Sequence, residues 1–130
     1  RPANLFVARF IGTPRMNVMT LPVDGGTVRF GSQTLALPSA AAHLGKVVLG
    51  QRPEHLRLAA TGSESGLAGS VEHIENLGHE MILTLATDLG PLILREARSA
   101  KVPSLGQQVR LVLDPDHVHL FDPVSEQRIE

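Results

Sequence analysis

The run His79-Glu80-Met81-Ile82-Leu83-Thr84-Leu85-Ala86-Thr87-Asp88-Leu89-Gly90 decides the fold class. Met81, Leu83 and Leu85 fall on one side of an extended chain and Ile82, Thr84 and Ala86 on the other, the two-residue period of a strand with one face turned to a core. Asp88-Leu89-Gly90 supplies the turn, and Leu92 to Ala97 resumes as the next strand.

Outward from this pair, Leu67 to Leu77, Val109 to Leu113 and Val118 to Phe121 read as further strands. Nearer the start, Met16 to Val23, Thr27 to Phe30, Thr34 to Leu37 and Val47 to Arg52 do the same, and Asp24-Gly25-Gly26 is a strong hairpin signal. Thr61-Gly62-Ser63-Glu64-Ser65-Gly66 has no large apolar residue and is expected to be a mobile loop between two halves. Ser39 to Leu44 suits a single helical turn. From Pro2 to Ile11, the apolar Leu5, Phe6, Val7, Phe10 and Ile11 suit one face of a short helix ended by Gly12 and Pro14. That helix is too short to stand alone in water, so its apolar face is expected to dock on the body of the domain. With 12 Gly and 9 Pro among many short strands, the chain reads as all-β with one leading helix, most like an open Greek-key barrel.

The 130 residues are 42% hydrophobic, enough for one small core. Lys plus Arg number 12 against 13 Asp plus Glu, so there is no basic footprint for a polyanion. Tyr and Trp are absent, and Phe6, Phe10, Phe30 and Phe121 sit among apolar neighbours, which argues against base stacking and hence against nucleic acid as a partner. There is no cysteine, so thiolate chemistry and Cys-based metal sites are excluded. No apolar stretch reaches the roughly 18 to 20 residues that span a bilayer. The first residue is Arg1, not Met, and the chain is expected to be part of a longer polypeptide.

No catalytic motif emerges. Gly45-Lys46 is followed by Val47 and lacks the earlier glycine of a phosphate loop, so ATP chemistry is not expected in these residues. In Gly62-Ser63-Glu64-Ser65-Gly66 the serines are one place out of register for a nucleophile elbow, and a polar loop accounts for them. His117-Val118-His119 would project two imidazoles from the same face of a strand, with Asp114, Asp116 and Asp122 near in sequence. Two ligands do not make a zinc site, so these residues read as a solvated strand edge and no metal is assigned. His73, Glu75, His79 and Glu80 read as the polar face of a strand. Four features are more specific than composition requires: Gly50-Gln51-Arg52-Pro53-Glu54, Glu75-Asn76-Leu77-Gly78-His79-Glu80, Arg95, and Leu120-Phe121-Asp122-Pro123. The proline ring holds its neighbours extended, so Arg52 and Glu54 are expected to point to one side and pair with opposite charges elsewhere.

Four blocks together resemble a known family. They are Pro2-Ala3-Asn4-Leu5-Phe6-Val7-Ala8-Arg9-Phe10-Ile11-Gly12-Thr13-Pro14-Arg15-Met16-Asn17, Gly50-Gln51-Arg52-Pro53-Glu54-His55-Leu56, Val71-Glu72-His73-Ile74-Glu75-Asn76-Leu77-Gly78-His79-Glu80 and His119-Leu120-Phe121-Asp122. In this order they resemble the C-terminal accessory (TOBE) domain of the ATPase subunits of sugar and glycerol-phosphate ABC importers, similar to the maltose importer's ATPase. Gln51 stands where an aliphatic residue is more usual in that family.

The resemblance implies two interleaved OB-fold-like β-subdomains over residues 15–130, preceded by a junction helix at 1–14 that leaves an ATPase domain. It implies a non-catalytic dimerisation and regulatory domain, with ATP and Mg belonging to the missing ATPase domain and no cofactor here. Its partners would be a second copy of the chain, the transmembrane subunits through the parent ATPase domain and a regulatory protein. Its place would be cytoplasmic, peripheral on the inner face of the membrane. Subunit and inter-subdomain contacts would fall at Arg52, Glu54, Glu75, Asn76, Gly78, Glu80 and Arg95. Two readings from other classes stand beside it. One is a small-oxyanion sensor using cations such as Arg52 or Arg95, and the other a metalloenzyme using His117 and His119.

Overall fold

Alternating apolar residues fold into ten strands, described here from a computed structural model that covers residues 2–10, 15–60, 62–97 and 102–129. In chain order these are helix α1 (Leu5–Phe10), β1 (Asn17–Pro22), β2 (Thr27–Phe30), β3 (Gln33–Ala36), the single turn α2 (Ser39–Ala42), β4 (Lys46–Gln51) and β5 (Arg57–Leu58). Then follow β6 (Leu67–Asn76), β7 (Glu80–Thr87), β8 (Leu92–Ala97), β9 (Gln108–Val112), a 3₁₀ turn (Pro115–His117) and β10 (His119–Phe121). They form three antiparallel sheets in the orders β1-β4-β10, β2-β3 and β5-β9-β6-β7-β8. The all-β, OB-fold-like class expected from the sequence holds.

The period-two reading of β7 is met in full. Met81, Leu83 and Leu85 are at most 1% exposed, while the residues between them are half-buried. Leu83 and Leu85 join Leu92 and Leu94 of β8, Leu111 of β9, Val28 and Phe30 of β2, and Leu21 and Leu49 of the three-stranded sheet in one core. β4 departs from alternation, with every residue from Val47 to Gln51 buried. Its position explains this: one face meets the main core, and on the other Val48 packs with Leu5 and Ala8 of α1, Met16 and Phe121. The short helix is docked as its length demands. Its proposed terminators, Gly12 and Pro14, lie outside the described residues.

Three side-chain amides join the sheets. Asn17 Nδ2 donates to the Ile93 carbonyl and its Oδ1 accepts from the Ile93 N–H, both at 2.7 Å, which ties β1 to the open edge of β8. Gln33 grips Leu113 in the same two-bond way, at 2.9 and 2.7 Å. Gln51, fully buried, donates to the carbonyls of Asp114 and His117 and accepts from the Asp114 N–H at 2.8 Å. Each amide stands in for a strand's N–H and C=O, so it satisfies main-chain groups where regular pairing has stopped.

Three local expectations are corrected. Asp24-Gly25-Gly26 does make a tight turn, with mutual bonds between Asp24 and Thr27 at 2.9 and 3.1 Å. It does not pair the strands it connects, because β1 is registered on β4 and β2 on β3. The paired hairpin turns instead at Gly31-Ser32, where Gly31 has φ +62°. The loop before β6 is pinned at its end: Ser32 Oγ accepts from the Gly66 N–H at 2.9 Å, and the Ser32 N–H donates to the Gly66 carbonyl at 3.0 Å. A Cβ on Gly31 would collide with that carbonyl, so the approach needs glycine. Thr61, at the head of this loop, lies outside the described residues. Finally, His117 ends the 3₁₀ turn while His119 begins β10, so the two do not share a strand face.

A charged strip around Glu80 and Arg95

The antiparallel register sets Ile82 opposite Arg95 and Ala97 opposite Glu80, so Glu80 and Arg95 are diagonal neighbours across β7 and β8. Arg95 closes a two-pronged bridge, Nε donating to Oε2 at 3.0 Å and Nη2 to Oε1 at 2.7 Å. The planar guanidinium matches the carboxylate, and the fit fixes both side chains. The hydrogen bond from Arg95, aided by the charges of Arg95 and His79, holds the Glu80 carboxyl below its ordinary value of 4.5. The same bond raises the Arg95 guanidinium, with Glu54 adding attraction.

The main chain of Arg95 is engaged as well. Its N–H donates to the Pro53 carbonyl at 2.9 Å, seating the Arg52–Leu56 turn on the outer edge of β8. Pro53 and Leu56 are buried beneath that turn, and the N–H groups of His55 and Leu56 both donate to the Arg52 carbonyl. Glu54 is exposed and near enough to act on Arg95. Arg52 is half-buried, and neither it nor Glu54 forms an ion pair among the described residues, so the expected pairings are not made.

At the other end of the strip lies the β6–β7 turn. Asn76 Oδ1 accepts from the Gly78 N–H and the Leu77 N–H donates to the Glu80 carbonyl, each at 2.9 Å. Gly78 sits at φ +89°, a conformation that side chains resist. Glu75 and Asn76 are exposed opposite Ile82 and Met81, and Leu77 presents an apolar side chain 43% exposed at the tip. Of the seven residues singled out from sequence, Glu80 and Arg95 bond directly, Asn76 and Gly78 bond to each other in the β6–β7 turn, and Arg52 and Glu54 flank the proline whose carbonyl is held by Arg95.

A second constellation was not legible in sequence. His55 stacks on His117, with ring centroids 3.8 Å apart and planes 7° from parallel, and His117 Nδ1 is 2.9 Å from Asp114 Oδ2. His55 belongs to the Arg52–Leu56 turn and the other two flank the 3₁₀ turn, so only the fold brings them together.

Comparison with known proteins agrees with this architecture. Residues 49–121 match the family model described as TOBE domain, and residues 12–56 match the MalK OB fold domain. The sn-glycerol-3-phosphate import ATP-binding protein UgpC of Paracoccus denitrificans is 40% identical over 134 residues, which take in 100% of this chain and 36% of that protein. The diacetylchitobiose uptake system ATP-binding protein MsiK of Streptomyces coelicolor is 31% identical over 99% of this chain and 40% of its own length. The chain therefore spans well under half of these relatives. Among solved structures, the cytoplasmic molybdate-binding protein ModG with molybdate bound superposes with a TM-score of 0.60 at 20% identity, over 80% of this chain and 94% of that one, a likeness of fold. The chain belongs to the TOBE domain family.

Proposed function

We propose that this chain is a non-catalytic dimerisation and regulatory domain of the ATP-binding subunit of an ABC importer for sugars or glycerol phosphate. The observation that carries the proposal is the alignment of the whole chain with one part of import ATP-binding proteins such as UgpC. The charged strip supports it: its centre is a fixed ion pair and its tip the exposed Leu77 side chain, features that a like surface could cover across a twofold axis. Nucleotide sites shared between two subunits must open and close, and a lasting contact elsewhere keeps each site at high effective concentration near its partner. A regulatory protein docking here would bias the cycle by its differential affinity for the two arrangements. In this reading ATP and Mg are held by a separate ATPase domain. That domain meets the transmembrane subunits, and the assembly sits on the inner face of the membrane.

The alternative, small-oxyanion sensing, has less support. Arg95 already spends both prongs on Glu80 and offers little to a free anion. Calorimetry separates the two readings: titration of the chain with Mg-ATP, phosphate, molybdate and glycerol 3-phosphate is expected to give no saturable heat. A one-to-one isotherm with any of the anions would replace regulation by contact with sensing.

A further inference from the structure

His55, Asp114 and His117 each bring one ligand atom within 4.8 Å of the others, the one such group of three among the described residues. From this geometry we propose that they form a binding site for one divalent transition-metal ion of the zinc class, with water completing the coordination. The site shares the Arg52–Leu56 turn with one end of the charged strip but uses none of the strip's residues, and it does not rest on the transport reading.

Four observations carry it. First, the group is built on fixed main chain: the buried Gln51 amide bonds the carbonyls of both Asp114 and His117 and the Asp114 N–H, and the His55 N–H closes its own turn on the Arg52 carbonyl. Second, Asp114 is anchored: its Oδ1 accepts from the Asp116 N–H at 3.1 Å. Third, His117 Nδ1 and Asp114 Oδ2 lie 2.9 Å apart, close to the separation of two donors on one ion, so Nδ1 is the His117 atom that would share the metal with this carboxylate. Fourth, two imidazoles with one carboxylate suit zinc, nickel or copper, whereas magnesium and calcium prefer all-oxygen shells.

Donor atoms around a tetrahedral ion with arms near 2.0–2.1 Å lie roughly 3.3 Å apart. The two rings therefore have to tilt out of their 7° stack as the ion enters. His55 is half-buried and His117 exposed, so rotation about their side-chain bonds is open to both. Binding would couple the turn after β4 to the turn before β10.

The test is equilibrium dialysis of the untagged, chelator-treated chain against zinc chloride, with histidine ring resonances followed by NMR. One ion per chain is expected, with micromolar affinity, unaffected by excess magnesium. His55→Gln and His117→Gln should each weaken binding at least about tenfold, while His79→Gln leaves it unchanged. In the wild-type chain the ring signals of His55 and His117 should move on zinc addition and those of His73 and His79 should not, a reading that needs no variant to fold. Absence of saturable binding, wild-type affinity in either ligand variant, or ring shifts confined to other histidines would overturn the site.

Discussion

The side-chain amide of Asn17 pairs with the main chain of Ile93 as a strand would, giving and taking one hydrogen bond at 2.7 Å each. Asn17 is 5% exposed and Ile93 half-buried. Replacing Asn17 with leucine keeps the branched shape but removes the partners of the Ile93 N–H and C=O. At roughly 1–3 kcal/mol for each unsatisfied buried group, Asn17→Leu should cost about 2–4 kcal/mol in urea unfolding. A loss within about 0.5 kcal/mol, the level of an ordinary surface change, would mean the joint carries no weight.

Gln51→Leu tests the second joint. Were the position only a packing site, the swap would be neutral. Because Gln51 satisfies the Asp114 N–H and two carbonyls, a loss of about 2–4 kcal/mol is expected. The stacked rings of His55 and His117 should also separate, read as loss of their mutual ring-current shifts.

Gly25 and Gly31 form an internal control. Their φ angles are +60° and +62°, so alanine meets the same backbone penalty of about 1–2 kcal/mol at each. Beyond that, Gly25 faces open space, whereas a Cβ on Gly31 runs into the Gly66 carbonyl. Gly31→Ala should therefore be the more damaging of the two in thermal unfolding by at least about 1 kcal/mol. Equal losses would show that the hairpin turn does not pack on the loop before β6.

Three carboxyls titrate below their ordinary values in the folded chain. Glu80 is held down by Arg95, Asp114 by His117 and then Asp116, and Asp122 by the N–H groups of Ser125 and Val124. The unfolded chain binds more protons at these groups, so their contribution is complete above the ordinary values of 4.5 and 3.8 and fades as pH falls below them. The urea midpoint should fall with acidification in that window, and less steeply in Glu80→Gln. An unchanged slope would detach the Glu80–Arg95 bridge from folding.

Some of this could be read from the chain alone. β7 and β8 announced themselves because a strand with one buried face writes its period directly into Met81, Leu83 and Leu85. Asp24-Gly25-Gly26 misled because turn chemistry specifies a change of direction, not which strand will be the partner, and β1 finds β4 by burying Leu21 and Leu49 in the same core. β5 is two residues long and has no period to show. Asn17, Gln33 and Gln51 look like polar interruptions of strands, and only the assembled sheets reveal the main-chain groups they serve. Glu80 and Arg95 stand out in the sequence, yet the bond between them depends on a register no local pattern encodes. His55 was passed over because nothing near it in sequence hints at Asp114 and His117.

Sedimentation equilibrium of the 130-residue chain tests the central claim, that these sheets serve to hold two copies together. The account predicts a reversible monomer–dimer equilibrium as concentration rises into the high micromolar range. It also predicts that the pair of exposed changes Glu75→Lys and Leu77→Asp shifts this equilibrium toward monomer without lowering the urea midpoint. A wild-type chain that stays strictly monomeric throughout that range would contradict it.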